Sequence, residues 1–332
     1  MPTSANALAT AAAAERRARL AALNFSLAAA HVLANLFQFF VLPLYLLPKS
    51  MAWSLALIPL AASNNSFWAL IHESIHDLLD SSRRLNDAAG RLLAVFFGSP
   101  FRLLRLTHLS HHKFNRSLKE RGTEIYDPQA TSKVKAQLRH FGQILGGLYL
   151  SEVLTPLLFL LPRRLFHDLA RRMPDPESRH EQWLARNLTD ARAFREIRID
   201  GAATLIVFAL SAFCYRGHEW LFAAILLSRA FFISFLDNVY HYGTPLNRAS
   251  SGYNLRLPKF LSSLILNFNL HGVHHVYPYL PWTRLPEFLV RQGAFYDQGY
   301  FTAAARQLRG PVPLPEIGSG RAKTVPSPES TV

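Results

Sequence analysis

Three groups of histidines carry the spacing of a metal site: His72 and His76 in HESIH, His108, His111 and His112 in HLSHH, and His271, His274 and His275 in HGVHH. Residues three and four apart share one face of a helix, so each group can turn its imidazoles toward one point. With 14 histidines in 332 residues, a His-x-x-His-His triplet is expected about 0.02 times by chance. It occurs twice. A further candidate is His241, with Asp237 four residues before it and Asn238 beside that; ionisable groups at membrane depth are functional candidates by default. Arg229 is the alternative, a charge partner for Asp237. Eight or nine imidazoles exceed the four ligands of a zinc site and point to two ions with about four or five nitrogens each. Neutral imidazoles leave the charge of the ions uncancelled, which suits redox-active iron and dioxygen and is wasted on zinc. The single cysteine, Cys214, excludes a four-cysteine zinc or rubredoxin site and an iron–sulfur cluster on this chain. Asn115, Asn267 and Asn269 flank the boxes and are candidates to orient imidazoles, with helix capping or turn formation as the other role for such residues.

The elements that must position these residues are apolar and helical. The chain is 50% hydrophobic and 17% charged, against about 25% charged in ordinary soluble domains. Apolar runs at 22–47 and 51–71 are each long enough to cross a hydrocarbon layer of about 30 Å, and the three residues between them make an antiparallel hairpin. Residues 92–101 suit an interfacial helix. The run at 141–161 is interrupted by Gly146, Gly147 and Pro156, and two further runs at 201–215 and 220–236 are parted by Arg216 to Glu219. With almost no alternating pattern, the expected fold is all-α, an integral membrane protein with about four transmembrane helices and a cytoplasmic helical cap. Residues 1–21 read as a cytoplasmic lead-in, since their charges follow the small residues instead of preceding an apolar core. Residues 22–309 form the membrane domain, and the Pro-, Gly- and Ser-rich residues 310–332 a flexible tail. Boxes that share ions must share one membrane face. The chain from box two to box three must therefore cross an even number of times, which makes 141–161 an interfacial or re-entrant pair of helical pieces. The nine arginines between 162 and 200 then stay cytoplasmic, with both termini and the site. His31 is expected to pack inside the first span, and His140, His167, His180 and His218 to be solvated.

The net charge of +14 fits anionic lipid or an acidic protein partner. Zinc-finger, helix-turn-helix and aromatic RNA-binding patterns are missing, which argues against nucleic acid. His72-Glu73-x-x-His76 also satisfies the zinc protease pattern with Glu73 as general base, but that reading leaves at least five box histidines unexplained.

The three boxes and their flanks, HLSHHKFN and HHVYPYLPWTRLP, resemble those of the membrane-bound di-iron fatty acid desaturase superfamily, over roughly residues 65 to 290. The resemblance implies that the eight box histidines hold two iron ions, joined by His241 as the histidine of the last membrane helix. Asp237 stands where some members carry an asparagine that reaches iron through water. The resemblance further implies dioxygen as co-substrate and a fatty acyl chain, linked to lipid, coenzyme A or a carrier protein, that gains a double bond; hydroxylase, ketolase and acetylenase outcomes belong to the same superfamily. No heme-binding cytochrome b5 motif, flavin fingerprint or iron–sulfur cysteine set is present. Electrons are therefore expected from a separate ferredoxin, rubredoxin or cytochrome b5 type donor with its reductase.

Overall fold

A computed structural model describes residues 4–117, 122–172, 175, 177–246 and 250–317, and it is mostly helical. Helix α1 (Ser4–Leu36) runs on through a wide π-type stretch, Phe37–Leu46, that contains Pro43. Proline has no N–H for an ordinary helical bond, and the looser winding accommodates the gap. After a short 3-10 turn, Met51–Ala56, come α2 (Leu57–Ala62) and α3 (Asn64–Ile75). The apolar run expected as one straight span is thus broken, with a 43° bend between its halves. The break falls where Ser63, Asn64 and Ser66 turn their side chains onto the carbonyls of Leu60, Ala61 and Ser63, a local competitor to helix bonding.

Helices α4 (Arg83–Phe97) and α5 (Phe101–Phe114) follow. The stretch 92–101 ends α4 and begins α5, with Leu92 exposed and Leu93, Ala94, Phe97 and Phe101 in the core. A two-residue strand, β1 (Ile125–Tyr126), leads to α6 (Lys133–Gly142) and α7 (Leu148–Leu158). Between them Gly146 takes φ +147°, and a side chain there would press on Cβ of Ala230 at 3.3 Å. The stretch is kinked there into two helical pieces, at the one residue type that tolerates that backbone. The polar pieces α8 (Arg163–Arg172) and α9 (Arg179–Leu188) precede the long helices α10 (Ala191–Cys214) and α11 (Glu219–Val239). Beyond them lie β2 (Leu255–Arg256), α12 (Lys259–Leu264), α13 (His271–Val276), α14 (Leu285–Arg291), β3 (Gln298–Gly299), α15 (Tyr300–Arg306), β4 (Val312–Pro313) and α16 (Leu314–Ile317).

Among the described residues, four helices are long and apolar enough to cross a membrane: Ala12–Leu46, Lys133–Leu158, Ala191–Cys214 and Glu219–Val239. The number matches the expectation but the membership does not. The bent α2–α3 pair is the additional candidate, and the hinged α6–α7 stretch takes its place among the four. The main core includes Phe39 and Leu42 of the first long helix with Phe67, Leu70 and Ile71 of α3 and Phe97 of α4.

Two side chains and the start of the expected tail depart from the sequence reading. Arg229 does not pair with Asp237; it is buried, donating to Asn35 Oδ1 at 2.8 Å, Asn64 Oδ1 at 3.1 Å and Phe96 O at 2.7 Å, between the rings of Phe39 and Phe67. His140 is buried instead of solvated, with Nε2 2.9 Å from Gln307 O. The chain past Gly310 is held, since β4 pairs in parallel with β1 and Tyr242 Oη donates to Gly310 O at 2.6 Å. The rest of the expected tail, residues 318–332, lies outside the described residues.

Candidate metal centre

The nine histidines singled out by spacing come together in two groups. His72, His76, His108, His112 and His274 form one; His111, His241, His271 and His275 form the other, and within each group the ligand nitrogens all lie within 4.8 Å of one another. Helix α3 supplies His72 in its last turn and His76 as its C-terminal cap. Helix α5 supplies His108 and His112, one turn apart, to the first group and His111 to the second. Helix α13 does the reverse, giving His271 and His275 to the second group and His274 to the first. Each His-x-x-His-His box is therefore divided between the two groups.

The Nε2 atoms converge. Those of His76 and His108, His112 and His274, and His111 and His241 are each 3.1 Å apart. His72 Nε2 is buried with no hydrogen-bond partner, an arrangement costly for a lone polar atom and natural for a ligand. Burial is the main force that lowers the basicity of His108, His112, His241, His271, His274 and His275, with the neighbouring imidazoles adding to it. His76 is pushed down to about 3 by burial first and by the Arg105 charge second. Rings held neutral in this way offer the lone pairs that metal binding requires. Two groups of five and four nitrogen donors fit two metal ions and no oxygen-seeking ion such as magnesium or calcium.

Polar residues outside the boxes fix the framework. Buried Arg105 donates to Ser74 O at 2.8 Å, Asp87 Oδ1 at 2.7 Å and Asp77 Oδ1 at 3.0 Å, and Asn86 Nδ2 also donates to Ser74 O at 2.9 Å. Together they pin the end of α3 against α4 and α5. At the far end of α5, buried Arg116 pairs with Glu124 and donates to Thr244 O at 2.5 Å, tying box two to the loop after His241. Glu73 Oε2 accepts from Trp282 N at 3.2 Å, and Trp282 Nε1 donates to Asn24 Oδ1 at 3.1 Å. The glutamate of the HExxH pattern thus links box one to the loop after box three. Box three needs Gly272, because a Cβ there would lie 2.6 Å from Gly252 O and 2.8 Å from Asn254 Nδ2. Spacing gave no signal for Arg105, Arg116 or Trp282, whose partners are remote in sequence.

The expected orienting residues divide. Asn115 Nδ2 donates to Ser251 O at 2.9 Å and lies 3.5 Å from His275 Nδ1, while His241 Nδ1 is 3.1 Å from the same Ser251 O. A carbonyl at that position fixes the His241 tautomer so that Nε2 faces the group. Asp237 faces His111 and Trp68 and lies in the field of Glu152 from α7. Asn238 points elsewhere, donating to Gln307 Oε1 at 2.7 Å. Asn267 donates to Trp282 O at 3.1 Å with φ +53°, and Asn269 donates to Leu255 O at 2.8 Å. Both build the loop that carries box three instead of contacting its rings.

A helical bundle with membrane-length apolar helices and a two-group histidine cluster defines a class of membrane-embedded metal-site proteins. The profile of the fatty acid desaturase family matches residues 48–304, and the chain belongs to that family. The chain is similar to the Delta(12) fatty acid dehydrogenase of Crepis alpina, 22% identical over 246 residues that make up 70% of this chain and 64% of that protein. The chain thus spans just under two thirds of that relative's length.

Proposed function

We propose that the chain is an oxygen-dependent desaturase that introduces a double bond into a fatty acyl chain. The observation that carries this reading is the gathering of nine imidazoles, eight from the three boxes and His241 from the turn that follows α11, into two adjacent groups. His72, His76, His108, His112 and His274 would hold one iron, and His111, His241, His271 and His275 the other. When bound, the irons supply the activation of dioxygen and the removal of hydrogen from an unactivated acyl carbon. In balance, one –CH2–CH2– unit, dioxygen, two electrons and two protons give one –CH=CH– unit and two waters.

The residues of the chain do the rest. The Ser251 carbonyl and Asn115 orient the His241 and His275 rings, and Asp237 places a carboxyl in the electrostatic field of His111. Arg105 and Arg116 hold the ends of α3 and α5 in register. The acyl substrate enters from the lipid phase, and the electrons come from a separate acidic donor of ferredoxin, rubredoxin or cytochrome b5 type, steered by the +14 charge. The site and both termini face the cytoplasm. Box three joins boxes one and two, so the crossings between them are even in number; with α10 and α11 both crossing, the stretch hinged at Gly146 enters and returns. Residues 1–21 form the lead-in to a membrane domain ending near 309. A hydroxylase, ketolase or acetylenase outcome requires the same residues and a different placement of the acyl carbons.

The test is elemental analysis of full-length protein purified in mild detergent, beside His111→Ala with His274→Ala, which removes one ligand from each group. About two irons per chain, lost in the variant, is the expected result. One zinc per chain, kept in the variant, would overturn the reading and favour the HExxH residues as a protease site.

A further inference from the structure

The arginine-rich segment builds a cleft that the reaction does not use. Phe159, Phe166, Phe194 and Ile197 pack α8 across the first turns of α10. Beside this contact lies a cleft of about 530 Å³, lined by Arg163, Arg195 and Arg198 with Ala191, Phe194 and Ile199. That size lies within the range of ligand sites, about 300–1,000 Å³. The three arginines are exposed, and no carboxylate answers them among the described residues. The acids at the start of α10 are engaged elsewhere: Glu196 holds Arg192 at 2.8 Å and Arg102 at 3.9 Å, and Asp190 caps α10 through the N–H groups of Arg192 and Ala193. Arg198 lies over the Phe194 ring and Arg163 Nε points to His167 Nε2. The cleft also sits at a boundary. About two turns further along α10 begin the exposed apolar side chains Leu205, Ile206, Leu210 and Phe213, and α8 turns Leu165 and Leu169 outward in the manner of an interfacial helix.

We propose that this cleft binds the phosphate of an anionic glycerophospholipid, whose acyl chains run down the exposed apolar side of α10. Guanidinium groups match phosphate geometry through paired N–H donors, and the apolar floor and the adjoining lipid-facing helix accept what a free anion lacks. The site stands independently of the desaturase reading.

The test titrates the full-length protein, in non-ionic detergent, with phosphatidylglycerol, phosphatidylcholine or inorganic phosphate, and counts bound molecules by native mass spectrometry. Phosphatidylglycerol should bind saturably and more tightly than the other two probes. At about fivefold per cation near a lipid surface, Arg195→Ala with Arg198→Ala should weaken it roughly 25-fold. The pair Arg195→Lys with Arg198→Lys should retain more of the binding than the alanine pair. Arg171→Ala with Arg172→Ala removes the same charge from the far end of α8, about 13 Å away, and should change binding less than about twofold. Unchanged binding in the Arg195 and Arg198 variant, or an equal loss in the Arg171 and Arg172 variant, would overturn the site. Inorganic phosphate or phosphatidylcholine binding as tightly as phosphatidylglycerol would overturn the assignment to an anionic lipid.

Discussion

Arg116→Met removes one member of an ion pair whose side chains are only 2% and 3% exposed. Methionine keeps much of the volume, so the cost is electrostatic. Breaking a buried pair by deleting one partner costs about 3–5 kcal/mol, because the other charge is left without compensation. The Thr244 carbonyl loses its donor as well, which loosens the loop after His241. Burial raises the Glu124 carboxyl above its usual range and the Arg116 charge pulls it back down, so the variant raises it further. A carboxyl with a raised folded pKa binds more protons folded than unfolded at any pH between the ordinary and the raised value. Stability then falls as pH rises through that window. The defect of Arg116→Met is therefore expected to be full near neutral pH and to shrink as the ordinary carboxyl range, about 4.5, is approached. Reversible unfolding in mixed micelles, followed by tryptophan fluorescence, measures it. Adding Glu124→Gln to Arg116→Met should recover about 2 kcal/mol or more, since the stranded charge is gone. A single variant within about 0.5 kcal/mol of wild type, or a double variant no more stable than the single, would refute the reasoning.

Three further outcomes follow from the same geometry. Because burial holds six of the clustered rings below the ordinary histidine range, the unfolded chain takes up more protons below about pH 6.5; metal-free protein should keep its stability above that value and lose it progressively below, and a flat unfolding profile between about pH 5 and 7 would contradict this. Glu73→Gln keeps an oxygen to accept from Trp282 N and should leave bound metal unchanged and stability within about 1 kcal/mol, whereas loss of metal on elemental analysis would give that carboxylate a ligand role. Gly272→Ala forces a methyl group against Gly252 O and Asn254 Nδ2 and should cost about 1–3 kcal/mol, with loss of metal from both groups; a variant with full metal content would show that the loop gives way.

Sequence spacing was informative where the chemistry is local. The boxes are short helical repeats, so their histidines could be chosen from spacing, and His241 from its place after the last apolar run. The division of each box between two groups was not legible, because residues three and four apart share a face and only the rotation of α5 and α13 about their axes decides which ring goes where. Long-range partners were also hidden. Arg229 is satisfied by Asn35, Asn64 and the Phe96 carbonyl, a cage built from three different helices, and His140 is buried by Gln307 O, 167 residues later. Hydropathy located the apolar run at 51–71 but not its bend, which side-chain hydrogen bonds at Ser63 and Asn64 create.

The division of the boxes sets an order of events during synthesis. Once residue 112 has left the ribosome, four of the five imidazoles of the first group exist, whereas the second group has only His111. It gains His241 after α11 and is completed only by His271 and His275. The strand that pairs with Ile125 and Tyr126, Val312–Pro313, is made later still. A metal ion loaded on the nascent chain would settle first at the first group, and the second would be filled only after box three has been made.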